Sequence, residues 1–598
     1  MTRMVCSRRL ASTVAVAMSF LVLAACGGGG SDAPAPSGGT PPPATPTPVP
    51  PPAPPADPDP IDPPQGSPSA SLIESESQAV RFLSAATFGP APDDIDALVG
   101  RDAADWLAAE FAKPASKILP AVQAEFEDDG DVPYNTEFNQ LWDAMLTGND
   151  QLRLRMQFAL SQILVVSGRG GDADQVRLAH YMDILSSGAF GNYRDLLETV
   201  TYSPAMSRYL TYHRNQKGDP DRGRTPDENY ARELMQLFTI GLVELDMNGE
   251  PKLGSDGRLI ETYDNDDIIG LARVFTGLSD KGTGWWQADP DANWKPLQAY
   301  PERHSPLDKT FLGRTIPAGT GPEESIDIAL DTLFEHPNMA PFLARHLIQR
   351  FTRSHPEPAY VGRVAEAFAS GQYAAQNGQT FGRGRRGDLV ATLAAVLLDE
   401  AFLAPGAGSF EDDGKIREPV LRFTHWVRAF RVRNIDAYSE YRLGDTRDPG
   451  TRLGQHPFRS PSVFNFYRPG FVAPGTESGS RGLTTPEFQI VNEASALGFA
   501  NFMTDFVFNR SPSRSETVDT FLPDYSDEVA MADDPEMLAA HLDLLLTGGR
   551  MSDATRTSIA ETVATIPLPE TDQDADRLKR VHVAVLMAVN APAYAILR

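Results

Sequence analysis

The chain has 598 residues, with 80 acidic against 53 basic side chains and a formal net charge of −27 at pH 7. That balance argues against nucleic acid and anionic membrane surfaces as partners, because phosphate binding needs Lys and Arg in excess. The two cysteines, Cys6 and Cys26, both sit at the N-terminal end, so the rest of the chain excludes disulfides, thiolate nucleophiles, Cys-bound zinc and iron–sulfur clusters.

The first element is a leader. Arg3, Arg8 and Arg9 precede the apolar run Leu10–Leu23, and Leu23-Ala24-Ala25-Cys26 has the form of a bacterial lipobox. An apolar run of about 14 residues is too short to span a bilayer and reads as a signal peptide over residues 1–25. Cleavage before Cys26 leaves that residue N-terminal, where its thiol takes a lipid anchor. Loss of the three arginines carries the net charge from −27 to −30. Gly27 after the cysteine, as in Gram-negative lipoproteins, favours the outer membrane, with the body in the periplasm. Residues 26–70 follow as a stalk. Between Ala33 and Pro68 there are 17 prolines in 36 residues and no Lys or Arg, a composition that cannot bury enough surface to fold. In polyproline II form it reaches about 110 Å.

Residues 71–598 are expected to be a mostly α, large multi-helix globular body with a small β-hairpin and long loops. A 3–4 spacing of apolar residues predicts helices over Ser77–Thr87, Asp102–Ala112, Gln151–Ser167, Gln175–Leu185, Asn229–Leu242, Asp266–Thr276 and Glu324–Phe334. The same spacing continues over Ala340–Phe351, Tyr360–Ala369, Asp388–Leu398, Glu418–Phe430, Pro486–Phe508, Pro535–Leu546 and Asp574–Met587. The best strand signal is Val243–Tyr263, where Asn248-Gly249 and Asp256-Gly257 predict turns of a surface hairpin. Asp264 is placed as the N-cap of the next helix, with Asp267 completing a capping box.

One predicted helix carries a polar stripe. Asn229, Arg232, Glu233 and Gln236 lie at i, i+3, i+4 and i+7 and should share a face, and Glu228 reaches Arg232 at i+4. Apolar residues cover much of the remaining circumference, so the stripe is either a buried structural network or part of a functional site.

The segment Glu228-Asn229-Tyr230-Ala231-Arg232-Glu233-Leu234-Met235-Gln236-Leu237-Phe238-Thr239-Ile240-Gly241 resembles the signature helix of a bacterial family known as domain of unknown function 1800. Further blocks resemble the same family in order. They are Arg81-Phe82-Leu83 with Ala86–Pro90, Tyr263–Ile268 with Ala272–Gly277, His304 with Asp308–Gly313, His336-Pro337, and Pro457–Tyr467. The match covers essentially residues 78–598. The resemblance implies an exported protein, often encoded beside another exported family related in fold to alkaline-phosphatase-like hydrolases. Many members carry Glu where this chain has Gln236 and His where it has Phe238.

Chemistry, if present, is expected at Glu233, His304 and Asp308. A histidine beside a carboxylate can form an oriented acid/base pair, and the three could hold a divalent metal such as zinc or manganese. Trp285, Trp286, Trp294 and Tyr300 in the adjoining loop could serve as platforms for sugar rings. His346 and Arg350 lie one turn apart and read as a structural pair, and the Gly-interspersed Arg383, Arg385 and Arg386 as a solvated loop. Two functions follow. The first is a lipid-anchored envelope protein that binds or scaffolds an exported partner or envelope polymer. The second is an envelope hydrolase, possible with a metal, and it requires Glu228, Arg232, Glu233, Arg273, His304 and Asp308 to converge beside an open cleft.

Overall fold

In the computed structural model the described residues are 71–129, 132, 135–169, 174–404, 414–434, 441–509, 521–568 and 573–598. Cys26, the leader and the stalk lie outside them. The body is mostly helical, as its apolar periodicity predicts. Among the described residues β structure is confined to six short antiparallel pairs and isolated bridges. No described helix is long and apolar enough to cross a membrane.

The centre is the helix Gln151–Ser161, every residue of which is buried, Arg153, Arg155 and Gln157 included. The predicted amphipathic helix is therefore an interior one, packed on Gln175–Gly188, Thr136–Thr147, Ala103–Phe111 and Met339–Phe351. Its buried cations sit over rings rather than in water. Arg153 lies 4.2 Å from the Phe190 ring centroid and Arg155 4.6 Å from that of Phe351. A second interior helix, Leu389–Leu398, is almost wholly apolar and packs on Met339–Phe351 and Pro358–Ser370. Its start is fixed by Asp388, whose carboxylate accepts from the backbone N–H groups of Val390 and Ala391.

C-terminal helices Pro419–Ala429, Glu493–Val507, Pro535–Thr547 and Gln573–Val589 enclose an aromatic cluster in which Phe423 meets Phe502, Phe506 and Phe521 at 5.1–5.9 Å. The predicted helix Pro486–Phe508 is interrupted. A short 3-10 turn, Pro486–Gln489, ends before Asn492, whose side chain caps a new helix at Glu493. The first described helix is tied to the C-terminal helices, Ser77 Oγ donating to the Gly548 carbonyl at 2.5 Å, and Ile596–Leu597 pairs with Lys415–Ile416.

Around the predicted signature segment two features matter. The turns at Asn248-Gly249 and Asp256-Gly257 form, with Gly249 at φ +75°, but the chain folds into two successive hairpins rather than one. Glu244 N–H donates to Ile260 O, Ile260 N–H to Lys252 O and Lys252 N–H to Glu244 O, so three short extended runs close on one another. The helix that starts at Asn229 keeps α geometry only to Glu233 and widens into a π-helical turn over Leu234–Thr239, where Ile240 N–H donates to Met235 O at 3.0 Å. Asp264 caps the helix Asn265–Val274, and Asp267 closes the capping box as expected.

Candidate functional site

The π turn decides where the polar stripe points. An i→i+5 turn inserts a residue into the helical repeat, so residues before and after it no longer share a face. Glu228 and Arg232, both before it, form the expected ion pair at 3.3 Å. Asn229 turns to Thr211, with Nδ2 3.4 Å from its hydroxyl oxygen. Glu233 is 7% exposed, and its Oε2 has no hydrogen-bond partner. Burial pushes its carboxyl pKa upward, opposed by Arg232. Gln236, within the π turn, lines a space that Glu233 does not. Phe238 is fully buried, 6.4 Å from the Tyr230 ring, and its carbonyl accepts from Tyr193 OH at 2.8 Å.

His304 and Asp308 are held by local structure. His304 is buried, with Nδ1 2.8 Å from the Thr276 carbonyl, which fixes the proton on Nδ1, and with Nε2 3.3 Å from the Ser325 hydroxyl. Burial pushes its pKa down to about 4, so the ring is neutral near pH 7. The exposed Asp308 accepts from Ala318 N–H at 2.8 Å, and its backbone carbonyl accepts from Arg273 Nη1 at 2.9 Å. Arg273 and Asp308 thus meet, and Glu228 meets Arg232. Among the described residues, however, no group of three or more His, Cys, Asp or Glu is arranged to hold a metal ion, so Glu233, His304 and Asp308 do not form one. Their donor chemistry suits zinc or manganese, but their arrangement does not.

A second polar cluster was not legible in the sequence. Asp280 is buried and accepts Arg208 Nη2 on both oxygens at 2.8 Å and His213 Nε2 at 3.0 Å. Burial works to raise its pKa, but the His213 and Arg208 hydrogen bonds outweigh it and hold the carboxyl well below its usual range. Nearby Trp286 is exposed, and Arg214 lies 4.8 Å from its ring centroid. Trp285 is buried edge-on to Tyr300. Of the loop aromatics, Trp286 offers a face. Arg385 is bound at 2.9 Å to both oxygens of Asp195, and Arg386 covers the rings of Phe334 and Phe368.

The space that Gln236 faces is a cleft of about 640 Å³. Five separate segments build it, one of them giving only Thr484. The C-terminal end of the central helix brings Gln162, and the π turn brings Gln236 and Leu237. The helix Met339–Phe351 brings Phe342, Arg345, His346 and Arg350 on one face, and the loop before Gly470 brings Phe464, Tyr467 and Arg468. Among the described residues that line it none is Asp or Glu.

Its polar groups are fixed. Tyr467 OH donates to Gln162 Oε1 at 3.0 Å, and Gln162 Nε2 donates to the fully buried Glu418 at 2.7 Å. Arg350, 1% exposed, lies 4.6 Å from the Tyr467 ring centroid, and its Nε and Nη1 have no partner. His346 Nδ1 is 2.8 Å from the Phe342 carbonyl, which places the proton there and leaves Nε2 as an acceptor. Burial, with Arg350 and Arg345 alongside, pushes the His346 pKa down to about 3. Arg468 stacks over Phe464 at 4.8 Å. Such an arrangement can bind: it offers apolar walls, oriented cationic donors and one neutral acceptor. It contains no carboxylate to act beside the histidine as an acid/base partner.

The fold and site define a large, mostly α protein with a basic, apolar cleft at a π turn of its signature helix. The family model described as protein of unknown function (DUF1800) matches residues 81–596, and the chain belongs to that family. No curated protein and no solved structure matches it.

Proposed function

We propose that the chain is a lipid-anchored cell-envelope protein whose helical body binds an envelope partner through the cleft beside Gln236, Arg350 and Tyr467. The cleft carries this reading. It is a preformed apolar bowl with oriented polar groups and no carboxylate in its lining, which suits retention of a ligand better than bond cleavage. The lipobox ending at Cys26 and the proline-rich stalk support the envelope setting. The hydrolase alternative needs Glu233, His304 and Asp308 side by side, whereas His304 and Asp308 are bound to separate partners and Glu233 Oε2 to neither of them.

Binding is tested with the neutral apolar dye Nile red on the full chain. About one saturable site per chain is expected, lost in Leu237→Trp, which fills the cleft from the half-buried π turn. Unsaturable binding that is equal in both proteins would overturn the reading. For the anchor, Cys26→Ser should move the body out of the membrane fraction, and a variant that still sediments with membranes would contradict the lipoprotein assignment.

A further inference from the structure

We infer that the ligand of this cleft is an amphiphilic acid, an apolar chain headed by a carboxylate or phosphate monoester whose head is taken by Arg350. The inference rests on the cleft being the binding site and adds the chemical class of what it holds.

Charge is the first argument. The chain as a whole is strongly acidic, yet Arg345, Arg350 and Arg468 line the cleft without an acidic residue. The imbalance continues behind the wall. Arg155 Nη2 donates to the Arg350 carbonyl, and Arg155, Lys415 and Arg417 are all buried. The carboxylates buried with these four cations are Glu418 and Glu487. Lys415 is 2.6 Å from Glu487 and 4.0 Å from Glu418. A buried cation without a counter-charge is costly, and an anion seated in the cleft would offset that cost.

Geometry is the second. The Arg350 guanidinium is held over the Tyr467 ring with two N–H groups unpartnered, so a donor is positioned and unused. One turn earlier on the same helix, His346 Nε2 adds an acceptor that fits a protonated oxygen of the head or its bound water. The remaining wall, with Leu237, Ile240, Phe342, Val463 and Phe464, is apolar and suits a hydrocarbon chain.

The test is displacement of cis-parinaric acid fluorescence from the full chain by decanoate, decyl phosphate and decanol. Displacement by either anion about tenfold more effective than by decanol is expected, and the stronger of the two anions identifies the head. In a folded Arg350→Gln protein the anions should displace the probe no better than decanol does. Arg345→Gln and Arg468→Gln, at half-buried and exposed positions, should each weaken anion displacement several-fold and carry the test where Arg350→Gln does not fold. Equal displacement by decanol would overturn the acidic class and leave the cleft reading standing. Failure of both Nile red and cis-parinaric acid to bind would overturn both.

Discussion

Lys415 and Glu487 form an ion pair of 2.6 Å from which water is excluded, with side chains 1% and 0% exposed. Lys415 also donates to the Gln349 carbonyl at 2.8 Å, and Ser354 Oγ donates to the second Glu487 oxygen at 2.8 Å, so both partners are further satisfied. The pair links the strand next to the C-terminal residues with the 3-10 turn Pro486–Gln489. Lys415→Met leaves Glu487 buried without its cation, while Glu418 keeps Arg155 and Arg350 nearby, and should cost about 3–5 kcal/mol. The double variant Lys415→Met/Glu487→Leu should recover part of that loss. Urea unfolding of the three proteins checks this, and a single-variant cost below about 1 kcal/mol would contradict it.

His304 makes stability depend on pH in a definite direction. Its folded-state pKa is about 4, against about 6.5 when unfolded. Above the unfolded value both states are neutral and nothing changes with pH. As pH falls from 6.5 towards 4 the unfolded state binds the proton more readily, so stability is lost, by up to about 3 kcal/mol from this residue. His346, His456 and His180, also pushed down by burial, add to the loss with the same sign. His304→Asn, which keeps a donor for the Thr276 carbonyl, should flatten the melting profile between pH 6.5 and 4. An unchanged slope would show that the ring takes up its proton at the same pH in the folded and the unfolded chain.

Glu233 tests what the polar stripe is for. A buried carboxylate with an unpartnered oxygen costs stability, and apolar replacement of similar size removes that cost. Glu233→Leu should therefore raise the midpoint of thermal unfolding, equivalent to roughly 1–3 kcal/mol. A lowered midpoint would mean that Glu233 supports the fold through an interaction beyond its attraction to Arg232.

How far the sequence reaches is clear from these residues. The helical class, the Asp264 cap, the turns at Gly249 and Gly257 and the Glu228–Arg232 pair all depend on neighbours within a few positions, and all were legible. The grouping of Glu233 with Gln236 failed because one π turn shifts the register, and nothing in the apolar period between Leu234 and Thr239 announces it. The cleft was hidden for another reason. Gln162, Gln236, Arg350 and Tyr467 come from segments far apart in sequence, and His346 and Arg350, one turn apart, read from sequence only as a structural pair. The interior holds Arg153 and Arg155 because aromatic rings and backbone carbonyls take their guanidinium groups.

Gly270 shows how tightly the segment that carries Asp308 is fitted. An added Cβ there would lie 1.7 Å from the carbonyl oxygen of Thr310, where the helix Asn265–Val274 lies against the strand Lys309–Phe311. The clash is with backbone, which cannot rotate aside as a side chain can. The strand is also pinned on either side: Arg273 holds the Asp308 carbonyl, and the Asp267 carboxylate accepts from Leu312 N–H at 2.6 Å. Gly270→Ala would gain up to about 1 kcal/mol of helix propensity. Against that, displacement of the strand should cost about 3 kcal/mol or more, so the net effect is destabilising. Thermal unfolding decides it. A variant as stable as the parent would show that the helix and strand can separate without loss, and that the Arg273–Asp308 contact does not fix their spacing.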